Sequence, residues 1–266
     1  MIDWSNLHDS GRDMSADGVY VNALSRSGLL QDVERRFEQQ RGFCIATLNL
    51  DHVVKLQQDP AFRAAYKRHS HVTADGNPII WLSWLAGTQM ELLPGSDLIA
   101  PVVALAAAQN VPLALLGATQ SSLDRAAEAL KAAHPGLRVV ASVSPAMGFD
   151  PTGAEADRCI AQLRESGARL CLLALGAPKQ EIFAARAADQ LPETGFMSIG
   201  AGLDFISGDQ VRAPKWVRRI AAEWLWRLLQ NPRRLTARYG ACLALLPRLV
   251  RMALQNRRHT MKRSGI

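Results

Sequence analysis

The chain has 266 residues, of which 48% are apolar or aromatic and 21% charged, and its formal net charge is +7. That length holds one α/β core of ordinary size with an appendage, and the balance of residues excludes both a disordered chain and one embedded wholly in a membrane. The charge is unevenly placed: from Arg212 onward there are fourteen Lys and Arg against one acid, Glu223, so residues 1–211 are net acidic and the last 55 residues carry the positive charge.

Taken in chain order, the opening MIDWSNLHDSGRD has no basic start and no apolar run of signal-peptide length, so a cytoplasmic protein is expected. From residue 43 to about residue 200, short aliphatic runs alternate with helix-length amphipathic stretches, which is the pattern of a parallel sheet with helical crossovers. The candidate strands are 43–47, 112–116, 137–143, 169–174 and 195–199. A helix is predicted over 120–133, where Leu123, Ala127, Leu130 and Ala133 form one stripe and Pro135-Gly136 stops it. A second is predicted over 153–166, with Ala156, Ile160 and Leu163 facing inward and Gly167 just past its end. The four cysteines, Cys44, Cys159, Cys171 and Cys242, form no C-x-x-C pair and read as core rather than as metal ligands.

After Gly208 the strand-like runs stop, which divides the chain into a core, 1–210, and a basic helical appendage, 211–266. Residues 214–230 read as one helix with Pro214 in its first turn and Asn231-Pro232 ending it. A basic stretch follows to Tyr239. Residues 241–256 place Leu245, Leu246, Leu249, Val250, Ala253 and Leu254 on one face with Arg248 and Arg251 on another. That segment is too short and too interrupted by arginine to span a bilayer, which takes about 20 apolar residues, so it is expected to lie on a membrane surface. A basic tail of this kind suits a polyanion, either nucleic acid or anionic lipid. The wide aliphatic face argues against nucleic acid.

Five segments could carry chemistry. In TLNLDHV (47–53), Thr47 and Asn49 follow a strand and would face the crevice where open α/β sheets bind ligands; a polar turn with Asn49 or Asp51 as helix cap explains the same residues. In TADG (73–76), Asp75 is either a helix cap or a general base able to take a proton from a sugar hydroxyl. In LGAPKQEIF (175–183), Gly176 and Pro178 shape a turn into a helix whose first residues include Gln180 and Glu181, and free N–H groups there suit a diphosphate. GAGLDFISGDQVRAP (200–214) offers Gly202, Asp204 and Arg212 at the junction of core and tail. EWLWRLLQNPRRLTARY (223–239) offers Arg227, Arg234 and Arg238, whose planar forks suit phosphate oxygens, with Trp224 and Trp226 as packing or membrane-proximal groups.

In this order the five segments resemble the WecG/TagA/CpsF family of glycosyltransferases, also called glycosyltransferase family 26, over residues 18 to 239. The resemblance implies a Rossmann-like core with helices on both faces. It also implies an inverting, metal-independent transfer, without cofactor, from a UDP-sugar to an undecaprenyl-diphosphate-linked sugar at the inner face of the cytoplasmic membrane. The chain has no D-x-D, in keeping with that. By the same resemblance Asp75 is the base, Thr47 and Asn49 are active-site residues, Gln180 and Asp204 line the donor pocket, and Arg227, Arg234 and Arg238 hold diphosphate. One departure is present: the family's usual Arg three residues before the Gly of its G-x-D-L segment is Leu92 here, in LLPGSDL. Two rival readings remain, a nucleic-acid-binding protein using the tail and a nucleotide-sugar-binding regulator without catalysis. Self-association stays open. Truncation after Gly208 is expected to leave a folded core with little transfer activity.

Overall fold

The computed structural model describes residues 2, 18–210, 213, 214, 217, 223–230 and 232–263, without the side chains of 227, 230, 234 and 259–263. Its elements are α1 (Arg26–Glu38), β1 (Phe43–Leu48), α2 (Leu50–Gln58), α3 (Pro60–Lys67), β2 (His71–Ala74), α4 (Asn77–Ala86), α5 (Gly95–Ala108), β3 (Leu113–Gly117), α6 (Gln120–Ala133), β4 (Val139–Val143), α7 (Ala154–Glu165), β5 (Leu170–Ala174), α8 (Lys179–Gln190), β6 (Gly195–Ser198), α9 (Gly202–Ser207), α10 (Glu223–Gln230) and α11 (Pro232–Arg263).

The six strands form one sheet in the order β2-β1-β6-β5-β3-β4, and every pairing is parallel. Side chains alternate across a strand, so a strand buried on both faces reads as an unbroken apolar run. In β1, Phe43 and Ile45 pack under α1, α5, α6 and α9, while Cys44, Ala46 and Leu48 face the opposite layer. That second layer is built from α7 and α8 over one half of the sheet and from α2, α3, α4 and α11 over the other. Leu113, Leu115 and Leu172 are fully buried, and each contributes about 1.5–3 kcal/mol by leaving water. The fold is therefore the α/β, Rossmann-like arrangement expected. All four cysteines are buried and unbridged, and burial pushes the Cys44 thiol up to about 12, far from reactivity.

Two elements differ from expectation. The strand β2 is only four residues long and is absent from the strands predicted; it is a strand because β1 offers it partners, Thr47 opposite Thr73 and Leu48 opposite Ala74. The C-terminal helix runs unbroken from Pro232 to Arg263, with Pro247 inside it, rather than over 241–256. Its aliphatic stripe is not free for lipid: Leu249 and Ala253 are buried in the cluster with Ile79, Leu82 and Ala86 of α4, and Leu245, Leu246 and Val250 pack against that cluster. An apolar stripe suits a protein core or a bilayer equally well, and here α2 and α4 supply the cover. Of the helix expected over 214–230, Glu223–Gln230 is described. Among the described residues, no helix is long and apolar enough to cross a membrane.

Candidate functional site

The carboxyl ends of parallel strands are where open α/β sheets bind ligands, because helix N-termini and loops converge there. At that edge β1 delivers Thr47 and Asn49, and β2 delivers Asp75. The Asp75 N–H donates to the carbonyl of Leu48 at 2.8 Å, which locks the end of β2 against β1. Thr47 Oγ1 then lies 3.5 Å and Asn49 Nδ2 3.4 Å from the same carboxylate oxygen, Asp75 Oδ2. These are long, loosely held donors, the form such contacts often take before a ligand tightens them.

The cap reading of Asn49 holds, and it leaves one end of the amide for a second contact. Its Oδ1 caps α2 by accepting from His52 N at 3.0 Å, which leaves Nδ2 for Asp75. For Asp75 the cap reading fails, because the N-cap of α4 is Gly76 and no side chain caps that helix. Gly76 has φ +97, a conformation that other residues adopt only under strain, and it turns the chain so that α4 begins immediately after the carboxylate. From the other side, α5 comes close enough that a Cβ on Gly95 would sit 3.3 Å from Thr47 Cγ2 and 3.4 Å from the Ser198 carbonyl oxygen. A glycine lets that helix start close against the ends of β1 and β6 without crowding them. Leu92 pairs with Ala74 in an isolated parallel bridge, so an apolar side chain, 37% exposed, flanks Asp75 where the resemblance leads one to expect a guanidinium.

Behind this edge lies a buried polar layer that the sequence did not reveal. Tyr66 OH donates to the Thr47 carbonyl at 3.1 Å, so at 2.6 Å the His52 ring must donate to it from Nδ1. His52 is accordingly neutral, its pKa driven down to about 3 by burial and by nearby Lys55. Burial, with Glu181 and Asp75 adding negative potential, also raises Tyr66 well above its ordinary value. The spacing of Phe62 and Tyr66 is visible in sequence as one helical face, but their partner, the carbonyl of Thr47, is set only by packing.

At the end of β5, Gly176, Ala177 and Pro178 lead into α8. Gln180 and Glu181 are both buried; Gln180 Nε2 donates to Glu181 Oε1 at 2.8 Å, and Gln180 Oε1 accepts from Gly200 N at 3.1 Å. The turn after β6, ahead of Gly202, is thereby tied to the turn after β5. Burial, only partly offset by the Gln180 hydrogen bond, raises the Glu181 carboxyl to about 7. Since the unfolded value is lower, the cost of this burial is absent in acid, grows as pH rises above the unfolded value, and is complete above about pH 7. Asp204 sits in α9, where Gln210 Nε2 donates to it at 2.7 Å, and burial together with Asp209 raises its pKa.

Lys55 donates to the Ala177 carbonyl at 3.1 Å and lies 2.9 Å from Asp51 Oδ2, while Arg238 reaches Asp51 Oδ1 at 2.6 Å. Burial opposes ionisation of Asp51, but Lys55 and Arg238 outweigh it and hold the carboxyl below its usual range. The guanidinium of Arg238, read from sequence as a diphosphate ligand, is thus engaged with α2 and pins the C-terminal helix there. The i,i+4 spacing of Asp51 and Lys55 was a readable signal; the third member was not. Arg212 and the side chains of Arg227 and Arg234 lie outside the described residues. Among those described, no three His, Cys, Asp or Glu side chains converge as metal ligands.

A doubly wound α/β enzyme with a polar constellation at the ends of its strands is the class this arrangement defines. The chain belongs to the glycosyl transferase WecG/TagA/CpsF family, whose model matches residues 14–263, and it is a glycosyltransferase. It is similar to the N-acetylglucosaminyldiphosphoundecaprenol N-acetyl-beta-D-mannosaminyltransferase of Bacillus spizizenii, at 26% identity over 227 residues covering 85% of this chain and 84% of the relative.

Proposed function

We propose that the protein transfers an N-acetylhexosamine or hexose from a UDP-sugar to a sugar carried on undecaprenyl diphosphate, with inversion at the anomeric carbon. The observation that carries this reading is the Asp75 carboxylate at the sheet edge, not capping α4 and approached by Thr47 and Asn49. In the proposed step Asp75 takes the proton of the acceptor hydroxyl, that oxygen bonds to the anomeric carbon, and the bond from that carbon to UDP breaks. A single displacement inverts the centre. Gly176, Pro178, Gln180, Gly202 and Asp204 would line the donor side, and the N-terminus of α8 with Arg212, Arg227 and Arg234 would stabilise the charge of the departing UDP. The acceptor named for the Bacillus spizizenii relative, N-acetylglucosaminyl diphosphoundecaprenol, supports the acceptor class.

Purified protein supplied with UDP-N-acetylmannosamine and a synthetic N-acetylglucosaminyl-diphosphate lipid is expected to release UDP only when both are present, with the disaccharide lipid seen by mass. UDP release at background rate across a panel of UDP-sugars would favour the non-catalytic, nucleotide-sugar-binding reading.

A lipid-linked acceptor requires the protein to work at a membrane surface. Since most of the α11 stripe is covered, the large apolar groups that α4 and α11 themselves leave exposed are Trp81 (48%) and Trp84 (57%) of α4 with Leu243 and Leu254 of α11, and α11 also exposes Arg248, Arg251, Arg257 and Arg258. Tryptophan beside arginine suits the headgroup region of anionic lipid. Replacing Trp81 and Trp84 together by Ala is expected to weaken flotation with phosphatidylglycerol vesicles at least about tenfold. Unchanged flotation would remove α4 from the membrane contact.

A further inference from the structure

Glu181 is out of reach of any substrate, with no solvent exposure at all, yet it lies directly beneath the edge of the site. One of its oxygens accepts from Gln180 Nε2 at 2.8 Å, and the other, Oε2, is buried without a hydrogen-bond partner. A buried acid with an unsatisfied oxygen is costly, and an apolar residue of similar shape would pack there more cheaply. What the acid supplies is direction. A Gln amide is nearly symmetric in shape and can present either its NH2 or its carbonyl to a neighbour. An acceptor on one side forces the NH2 to that side and turns the carbonyl to the other, where it accepts from Gly200 N at 3.1 Å. If the amide flipped, two N–H donors would confront each other at Gly200. Gly200 has φ +53 and leads into the first turn of α9, so its orientation sets how the chain passes the end of β6.

We propose that Glu181 is a positioning residue that fixes the facing of the Gln180 amide and, through it, the shape of the turn at Gly200–Gly202. That this turn serves the donor rests on the function proposed above. The charged or titratable groups around Glu181 are Lys55 from α2 and Tyr66 from α3, with Asp75 at the end of β2 acting on the same tyrosine. Ionising the acid would add a fixed negative charge below the place proposed for the donor diphosphate, which opposes donor binding.

The test compares the full chain with Glu181→Leu, which removes the acceptor, and with Glu181→Gln, whose amide carbonyl can still accept from Gln180 and cannot ionise. Hydrogen exchange of the peptide carrying the Gly200 amide is expected to speed up at least about tenfold in the Leu variant and to return to the wild-type rate in the Gln variant. UDP affinity, measured by calorimetry from pH 6 to 9, is expected to fall in the Leu variant at every pH. In wild type it should fall as pH rises through about 7, and the Gln variant should lack that decline. Unchanged exchange in Glu181→Leu, or exchange that Gln fails to restore, overturns the proposal whatever the donor. Faster exchange with unaltered UDP affinity upholds the brace and instead overturns the assignment of this turn to the donor.

Discussion

Asp75→Asn is expected to lower the rate of sugar transfer by about 10²- to 10⁴-fold, the range that a positioned general base contributes, while UDP affinity stays within about threefold. The substitution is nearly isosteric. An amide carbonyl can still accept from Thr47 Oγ1 and Asn49 Nδ2, which lie 3.5 and 3.4 Å from the native carboxylate, and the backbone bond from residue 75 to Leu48 does not involve the side chain. What is lost is the ability to take a proton. The loss should appear in kcat with an acceptor present, and thermal unfolding should be unchanged. A variant with full activity would remove Asp75 from the chemistry and leave Thr47 and Asn49 as parts of a strand-end turn.

Deleting residues 209–266 is expected to abolish transfer and also to destabilise what remains, with a drop in Tm of roughly 10 °C. The deletion strips Leu249 and Ala253 from the cluster they share with Ile79, Leu82 and Ala86, and removes the partial cover given by Leu245, Leu246 and Val250. It also leaves Asp51 without Arg238, so one of the two cations that balance this buried carboxylate is gone. Loss of several kcal/mol follows at about 25 cal/mol per Å² of apolar surface returned to water. A truncated protein with native Tm would show that α11 rests on the core without holding it. This expectation is sharper than the one drawn from sequence, where the tail looked separable, because the stripe read as lipid-facing is covered by α4.

Much of the scaffold could be read along the chain. The helix predicted over 120–133 coincides with α6, and that over 153–166 with α7 to within one residue at each end, because a cap or stop lies beside each apolar stripe. Five of the six strands fall where aliphatic runs predict them. The strand β2 was hidden, since four residues carry too little pattern and their pairing partner lies 26 positions earlier.

The sequence by itself determined the fold class, through its alternating aliphatic runs and amphipathic stretches, while the family and the candidates Thr47, Asn49, Asp75 and Gln180 came from the resemblance of short segments in a fixed order, because runs, turns and motifs are all written locally. Tertiary structure alone decided that Asp75 is not a cap, that Tyr66 and His52 sit behind Thr47, that Glu181 turns the Gln180 amide, and that Arg238 is held by Asp51. The physical reason is the range of the forces involved. Capping and periodicity act within a turn or two of chain, whereas contacts such as Tyr66 to Thr47 or Arg238 to Asp51, far apart along the chain, exist only after burial has brought their partners together and removed the water that would otherwise compete for them.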